Sequence, residues 1–220
     1  MGMRRFLRFG VQRAFSSSYP SSSPSLSIWR GKRKEMGKEG LMVVQEMKRL
    51  QNSPPERLQS FIKSRVSRLL KSDLLAVLAE FQRQDNVSLC LMVYELVRKE
   101  IWYKPDMFFY RDMLMMLAQN KQAEKLMQVW EDSKREKVHF DQHTYGDIIR
   151  CLLDNNLPSQ AMVFYSEMKE SPEPPLSLPY RVILKGLVPY PELREKVKED
   201  FLELFPGMFI YDPPDGLTDN

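Results

Sequence analysis

Cysteine and histidine are scarce in this 220-residue chain, at two residues each, and their scarcity removes whole classes of chemistry. Cys90 and Cys151 are too few and too far apart for a disulfide framework. Each falls on an apolar helical stripe, so both are expected to be buried free thiols, in keeping with a reducing compartment. His139 and His143 stand four apart, but no further ligands follow at a metal-site spacing; with Asp141 between them they mark a helix start. No Gly-rich phosphate loop, GxSxG elbow or HExxH helix occurs, so neither an enzyme nor a cofactor or metal is expected. No apolar run approaches the roughly 18 to 20 residues that cross a bilayer. Strand signals are missing as well.

What is present is a period. Tyr110, Tyr145 and Tyr180 lie 35 residues apart, and Leu117, Leu152 and Leu187 follow each by seven. Met113-Leu114, Ile148-Ile149 and Ile183-Leu184 occupy matching places between them. A second series, Tyr94, Trp130, Tyr165 and Phe201, recurs at 36, 35 and 36. A period of this length argues for stacked supersecondary units, and two apolar stripes at helical spacing make each unit a helical hairpin. The large aromatics of the second series are expected to fill the seams between helices.

Helices are expected over Gly37–Leu50 with Pro54–Leu70, Ser72–Arg83 with Val87–Glu100, and Met107–Gln119 with Gln122–Arg135. Two more pairs follow, Gln142–Leu153 with Pro158–Lys169 and Leu178–Leu187 with Pro191–Leu204. Asp85-Asn86 makes one turn, and Ser53-Pro54-Pro55-Glu56 separates the first pair, with Pro near a helix start where its missing N–H costs nothing. The tail over 206–220 is Pro-, Gly- and Asp-rich, ordered only where Phe209–Tyr211 touch the last hairpin.

The net charge of +4 conceals three regions. Residues 1–28 hold Arg4, Arg5, Arg8 and Arg13 and no acid; they are Ser-rich and amphipathic if helical, the composition of an organelle transit peptide. The early arginines favour a mitochondrion, with a chloroplast as the alternative. Residues 29–71 hold twelve Lys/Arg against four Glu, and residues 72–220 hold seventeen against twenty-five acids. One end is therefore electropositive. The acidic excess of the second half has no paired constellation and reads as solvated second-helix faces.

Residues 107–141 (MFFYRDMLMMLAQNKQAEKLMQVWEDSKREKVHFD) resemble a pentatricopeptide repeat over their full length. Residues 142–176 resemble one more closely, with Ala161, Phe164 and Met168 in the expected places. Residues 71–106 fit with one extra residue near Trp102-Tyr103, and 177–205 match through the first helix as a degenerate copy. A basic hairpin over 29–70 precedes them. The tetratricopeptide alternative fails, since no Trp or Leu-Gly sits in the first helices. IWRGKRK (28–34), RKEIWYKPD (98–106) and the short length make the chain similar to the small thylakoid-assembly type of P-class pentatricopeptide proteins of plant organelles.

That resemblance implies an all-α fold, a right-handed α-solenoid of about five helical hairpins. It implies single-stranded organellar RNA as partner, an accessory role in group II intron splicing or RNA processing and stabilisation, and no intrinsic catalysis. Other splicing factors and an RNA-assisted homodimer follow as expected partners. The alternative function is a protein–protein adaptor or mitoribosome-associated subunit.

In the family the fifth and last residues of each unit select a base from the concave face. Carried over, the pairs are Arg111 with Asp141, Gly146 with Leu176, and Leu75 (or Ala76) with Asp106, while Arg181 has its partner near Tyr211 or Asp212. None is the small polar residue with Asp or Asn that the family uses, so selective readout is not expected. Phe108, His143 and Leu178, at second positions, are placed to wedge between bases, each stack worth roughly 1–3 kcal/mol. Arg111 and Arg181 suit phosphate, because a guanidinium is always charged and forks onto oxygens. Trp29 beside Arg30, Lys32, Arg33 and Lys34 joins positive charge to an aromatic platform, and Arg57, Lys63, Arg65, Arg68 and Lys71 extend it.

Overall fold

The computed structural model describes residues 36–102, 104 and 106–210, all within one compact unit. The leader over 1–28, the segment from Trp29 to Lys34, and Tyr211 and Asp212 lie outside the described residues.

Among the described residues the structure is α-helical with no strand. The helices are α1 (Lys38–Leu50), α2 (Pro55–Ser64), α3 (Lys71–Arg83), α4 (Val87–Lys99), α5 (Met107–Gln119), α6 (Ala123–Arg135), α7 (Gln142–Asp154), α8 (Pro158–Glu170), α9 (Ser177–Gly186) and α10 (Pro191–Leu204). They form five hairpins, and the odd-numbered first helices pack on one another in chain order. This is the expected α-solenoid. None of the described helices is long and apolar enough to cross a membrane.

Local chemistry sets the helix ends. Asn86, Asp106 and Asp141 cap α4, α5 and α7 by accepting from the backbone N–H three residues on. Pro55, Pro158 and Pro191 open α2, α8 and α10, where a missing N–H breaks no helical bond. Asp85, Lys121 and Asn156 stand at positive φ after α3, α5 and α7. Behind each, two backbone bonds close a Schellman turn, as in Lys121 N–H to Ala118 and Gln122 N–H to Leu117.

The two aromatic series are the two sides of one seam. Tyr94 meets Tyr110 at 6.3 Å and 79°, Trp130 meets Tyr145 at 6.1 Å and 74°, and Tyr165 meets Tyr180 at 5.9 Å and 79°. The second helices α4, α6 and α8 thus each turn an aromatic edge-on to the tyrosine of the next first helix, the geometry that aromatic quadrupoles favour. All six rings are buried. Cys90 and Cys151 are buried and free, as expected.

The acidic second helices depart from expectation. Arg98 on α4 binds Asp132 on α6 at 2.5 Å and Glu136, just after α6, at 2.9 Å. Lys134 on α6 reaches Glu167 on α8 at 3.3 Å, and Lys169 on α8 reaches Asp200 on α10 at 2.6 Å. The cations recur one turn after the aromatics, so each also lies over its own ring, at 5.3, 5.8 and 5.8 Å. Asp132 is only 7% exposed. These acids tie successive units together; they are not simply solvated faces.

One further expectation fails. The helix expected over Pro54–Leu70 stops at Ser64, and a 3-10 turn covers Val66–Arg68. Ser64 and Ser67 hydroxyls bond back to the Ser60 and Lys63 carbonyls, and Leu58 is the helix's one buried residue, so little packing holds a longer helix. In the tail, Phe209 is 89% exposed and Ile210 half-buried, and the Met208 sulfur lies 3.9 Å from the Arg181 guanidinium.

Candidate nucleic-acid interface

The first-helix layer carries the residues singled out in the sequence. On α5, Phe108 is half-buried and the Arg111 guanidinium lies 5.1 Å above its ring. Arg111 also bonds the Asp112 carboxylate at 2.9 and 3.1 Å and is 15% exposed, so much of its charge is already matched. Asp106 and Asp141 accept from Phe109 N–H and Thr144 N–H at 2.9 and 2.6 Å, which gives each carboxylate a capping duty.

On α7, His143 is exposed whereas Gly146 is buried. A Cβ on Gly146 would stand 3.1 Å from the Pro179 Cβ and 3.3 Å from its Cα, so this glycine is the close-approach point between α7 and α9. On α9, Leu178 is 58% exposed, and Arg181 is exposed above the Phe201 ring at 5.7 Å. Leu176 is 40% exposed just before α9, while Leu75 and Ala76 on α3 are half-buried. Phe108 and Arg111 are therefore brought together, and Leu178 and Arg181 stand one turn apart on the same helix. Trp29, Arg30, Lys32, Arg33 and Lys34 lie outside the described residues.

Sequence reasoning passed over a hollow of about 590 Å³ between α5 and α7, lined by Met115, Gln119, Asp147, Arg150, Cys151 and Asp154 among others. Its signal was the i, i+4, i+8 spacing Arg111, Met115, Gln119, which continues the fifth-position stripe down the helix. Arg150 pairs with Asp154 at 2.9 Å, so the hollow mixes both signs. Burial raises the Cys151 thiol above its usual range, Asp154 adds to the rise, and a hydrogen bond from Asn155 opposes it. Among the described residues no group of three or more His, Cys, Asp or Glu could hold a metal ion.

Stacked hairpins of 35 to 36 residues, sealed by aromatic seams and presenting their first helices as a layer, define a helical-repeat protein. No family model matches the sequence. A pentatricopeptide repeat-containing protein of Arabidopsis thaliana is 66% identical over 185 residues, which cover 84% of this chain and 94% of that protein. The chain belongs to the pentatricopeptide repeat family. It is also 30% identical over 105 residues to the Arabidopsis thaliana chloroplastic protein THYLAKOID ASSEMBLY 8, 47% of this chain and 46% of that one. Its fold is similar to a crystal structure of THA8 in complex with Zm4 RNA, with a TM-score of 0.62 and 24% identity, over 76% of this chain and 95% of that chain.

Proposed function

We propose that the chain is an organellar protein that binds single-stranded RNA and assists group II intron splicing, or the processing and stabilisation of an organellar transcript. The observation that carries the reading is the first-helix layer: Phe108, His143 and Leu178 stand at equivalent places on the successive first helices α5, α7 and α9, with Arg111 and Arg181 three residues beyond the first and last. Stackable or apolar side chains beside guanidinium groups suit flexible polynucleotide, whose bases stack without regard to sequence. An RNA-bound relative of similar fold supports the same conclusion.

Binding is weak and poorly selective on this reading. The fifth positions offer Gly146, which is buried, and Arg111, which is paired with Asp112. Five hairpins cover a footprint on the order of one nucleotide each. Other splicing factors, or a second copy meeting the first on RNA, supply the missing selectivity. Affinity falls steeply with salt, because phosphate contacts release counterions.

The second reading is a protein adaptor, favoured by Asp147 and Asp154 in the hollow between α5 and α7, which repel phosphate. Sequencing RNA that co-purifies with the tagged chain from organelles separates the two. Enrichment of an intron-containing transcript, with unspliced precursor accumulating in a null line, is the expected result. No enriched transcript and intact splicing overturn the RNA reading. The arginine-rich leader supports a mitochondrial address and the chloroplastic relative a plastid one; a fluorescent fusion decides.

A further inference from the structure

The connection between α4 and α5 spans Glu100–Asp106, one residue longer than its counterparts at 136–141 and 171–176. The longer connection leaves Ile101 wholly exposed and Trp102 38% exposed. The Lys71 ammonium lies 5.0 Å from the centre of the Trp102 ring, and Leu70 beside it is 70% exposed. One contact thus joins two segments remote in sequence, each of which carries exposed apolar side chains beside exposed cations.

The rim of these segments is cationic. From Arg57 to Ser72 the chain holds Arg57, Lys63, Arg65, Arg68 and Lys71 and no acid, and Arg65, Arg68 and Lys71 are exposed. The other segment adds exposed Lys99 and Lys104, with half-buried Glu100 the acid between them. A second copy would bring the same positive rim against itself, and a basic partner is repelled likewise. A polyanion with flat apolar rings meets both halves of the surface: phosphates on the cations, a base on the indole.

We propose that the surface formed by Leu70, Lys71, Ile101 and Trp102 is a nucleic-acid contact outside the base-reading positions of the repeats. There a single strand leaving the first-helix layer stacks a base on Trp102 and passes its phosphates to Arg68, Lys71 and Lys104. This rests on the RNA-binding reading above. The site is indifferent to base identity, since every base has a stackable face, and it supplies affinity that poorly matched fifth positions do not.

The test uses the full chain and a labelled oligouridylate longer than the array's footprint. Trp102→Ala should weaken binding about fivefold or more, the lower end of the cost of a lost stack, while Trp102→Phe retains most of the affinity. Arg68→Gln and Lys104→Gln should each lower the slope of log affinity against log salt by about one. In a Trp29→Phe background, where Trp130 is buried, RNA should quench the emission of Trp102. Ile101→Ser, at a wholly exposed position, separates a surface effect from misfolding and should also weaken binding. RNA affinity unchanged in both Trp102→Ala and Ile101→Ser, with no quenching, overturns the site and hands the surface to a protein contact while RNA binding itself stands. Failure of the unmodified chain to bind RNA overturns the functional reading and this inference together.

Discussion

The hydroxyl of Tyr165 on α8 donates a 2.6 Å hydrogen bond to the Asp200 carboxylate on α10, one unit further along. Lys169 binds the same carboxylate at 2.6 Å, one turn from Tyr165. Burial opposes ionisation of Asp200, but the bonds from Lys169 and Tyr165 outweigh it and hold the carboxyl below its ordinary range. The stabilisation is therefore complete above the unfolded value of about 3.9 and is lost as pH falls through the lower folded-state value. Tyr165→Phe is expected to cost about 1–2 kcal/mol at neutral pH, with the gap to the unmodified chain closing below about pH 4. Urea unfolding across that range checks it; a gap that does not vary with pH would assign the loss to packing.

Asp132 is the most buried acid of the inter-unit ties described above. It accepts from Tyr94 at 3.0 Å and from Arg98 at 2.5 Å, and Arg135 binds it from its own helix. Asp132→Ala strands the Tyr94 hydroxyl, in a residue only 1% exposed, and leaves Arg98 partnered by glutamates alone. The expected loss is about 2–3 kcal/mol, with Tm lower by roughly 5–10 °C in calorimetry. Glu167→Ala, at a more exposed tie, should lose less than about 1 kcal/mol.

These ties explain what the sequence discloses and what it hides. The 35-residue spacing of Tyr110, Tyr145 and Tyr180 is itself the repeat of the seam, so the fold is legible wherever an aromatic meets an aromatic. The ends of α5 and α10 are legible because Asp106 and Pro191 act on their own backbone. A partner on another helix is not. Asp132 looks like any surface acid until α4 is laid beside α6, and the close approach of Pro179 to Gly146 shows only once α9 packs on α7. Arg111 reads as a cation, and its pairing with the neighbouring Asp112 shows only in the structure. The early stop of α2 is hidden for the opposite reason: its stripe is present, but the packing that would hold it is not.

Gly146→Val tests the close approach of α7 and α9. The first added carbon stands 3.3 Å from the Pro179 Cα, and backbone cannot rotate away as a side chain does. The two further methyl groups must part the helices, at an expected cost of about 2–3 kcal/mol in denaturant unfolding. Gly186→Ala meets Leu153 and Arg150 side-chain carbons, at 2.9 and 3.2 Å, which can turn aside, and should cost well under half as much.

Lys121 holds φ +54 after α5, a conformation an L-residue adopts at a cost and glycine does not. Its backbone N–H bond to Ala118 is kept by glycine, and its side chain is exposed. Lys121→Gly is therefore expected to stabilise the chain by about 0.5–1 kcal/mol, despite the looser unfolded chain. A lowered Tm would mean the lysine side chain does more than cross the turn.

Cys151 on α7 reports on the first-helix layer, and Cys90 on the second helix α4 is its buried control. Burial pushes Cys90 up to about 12, so at pH 8 only about one molecule in ten thousand carries its thiolate. Cys151 is raised less and, at 8% exposure, lines the hollow between α5 and α7. A thiol reagent should modify Cys151 first and Cys90 only as the chain unfolds. If a single strand lies along the first helices it covers that hollow, and saturating oligouridylate should slow the Cys151 reaction at least about threefold while leaving Cys90 unchanged. Equal rates with and without RNA, in a sample shown to bind it, would place the strand away from α5 and α7.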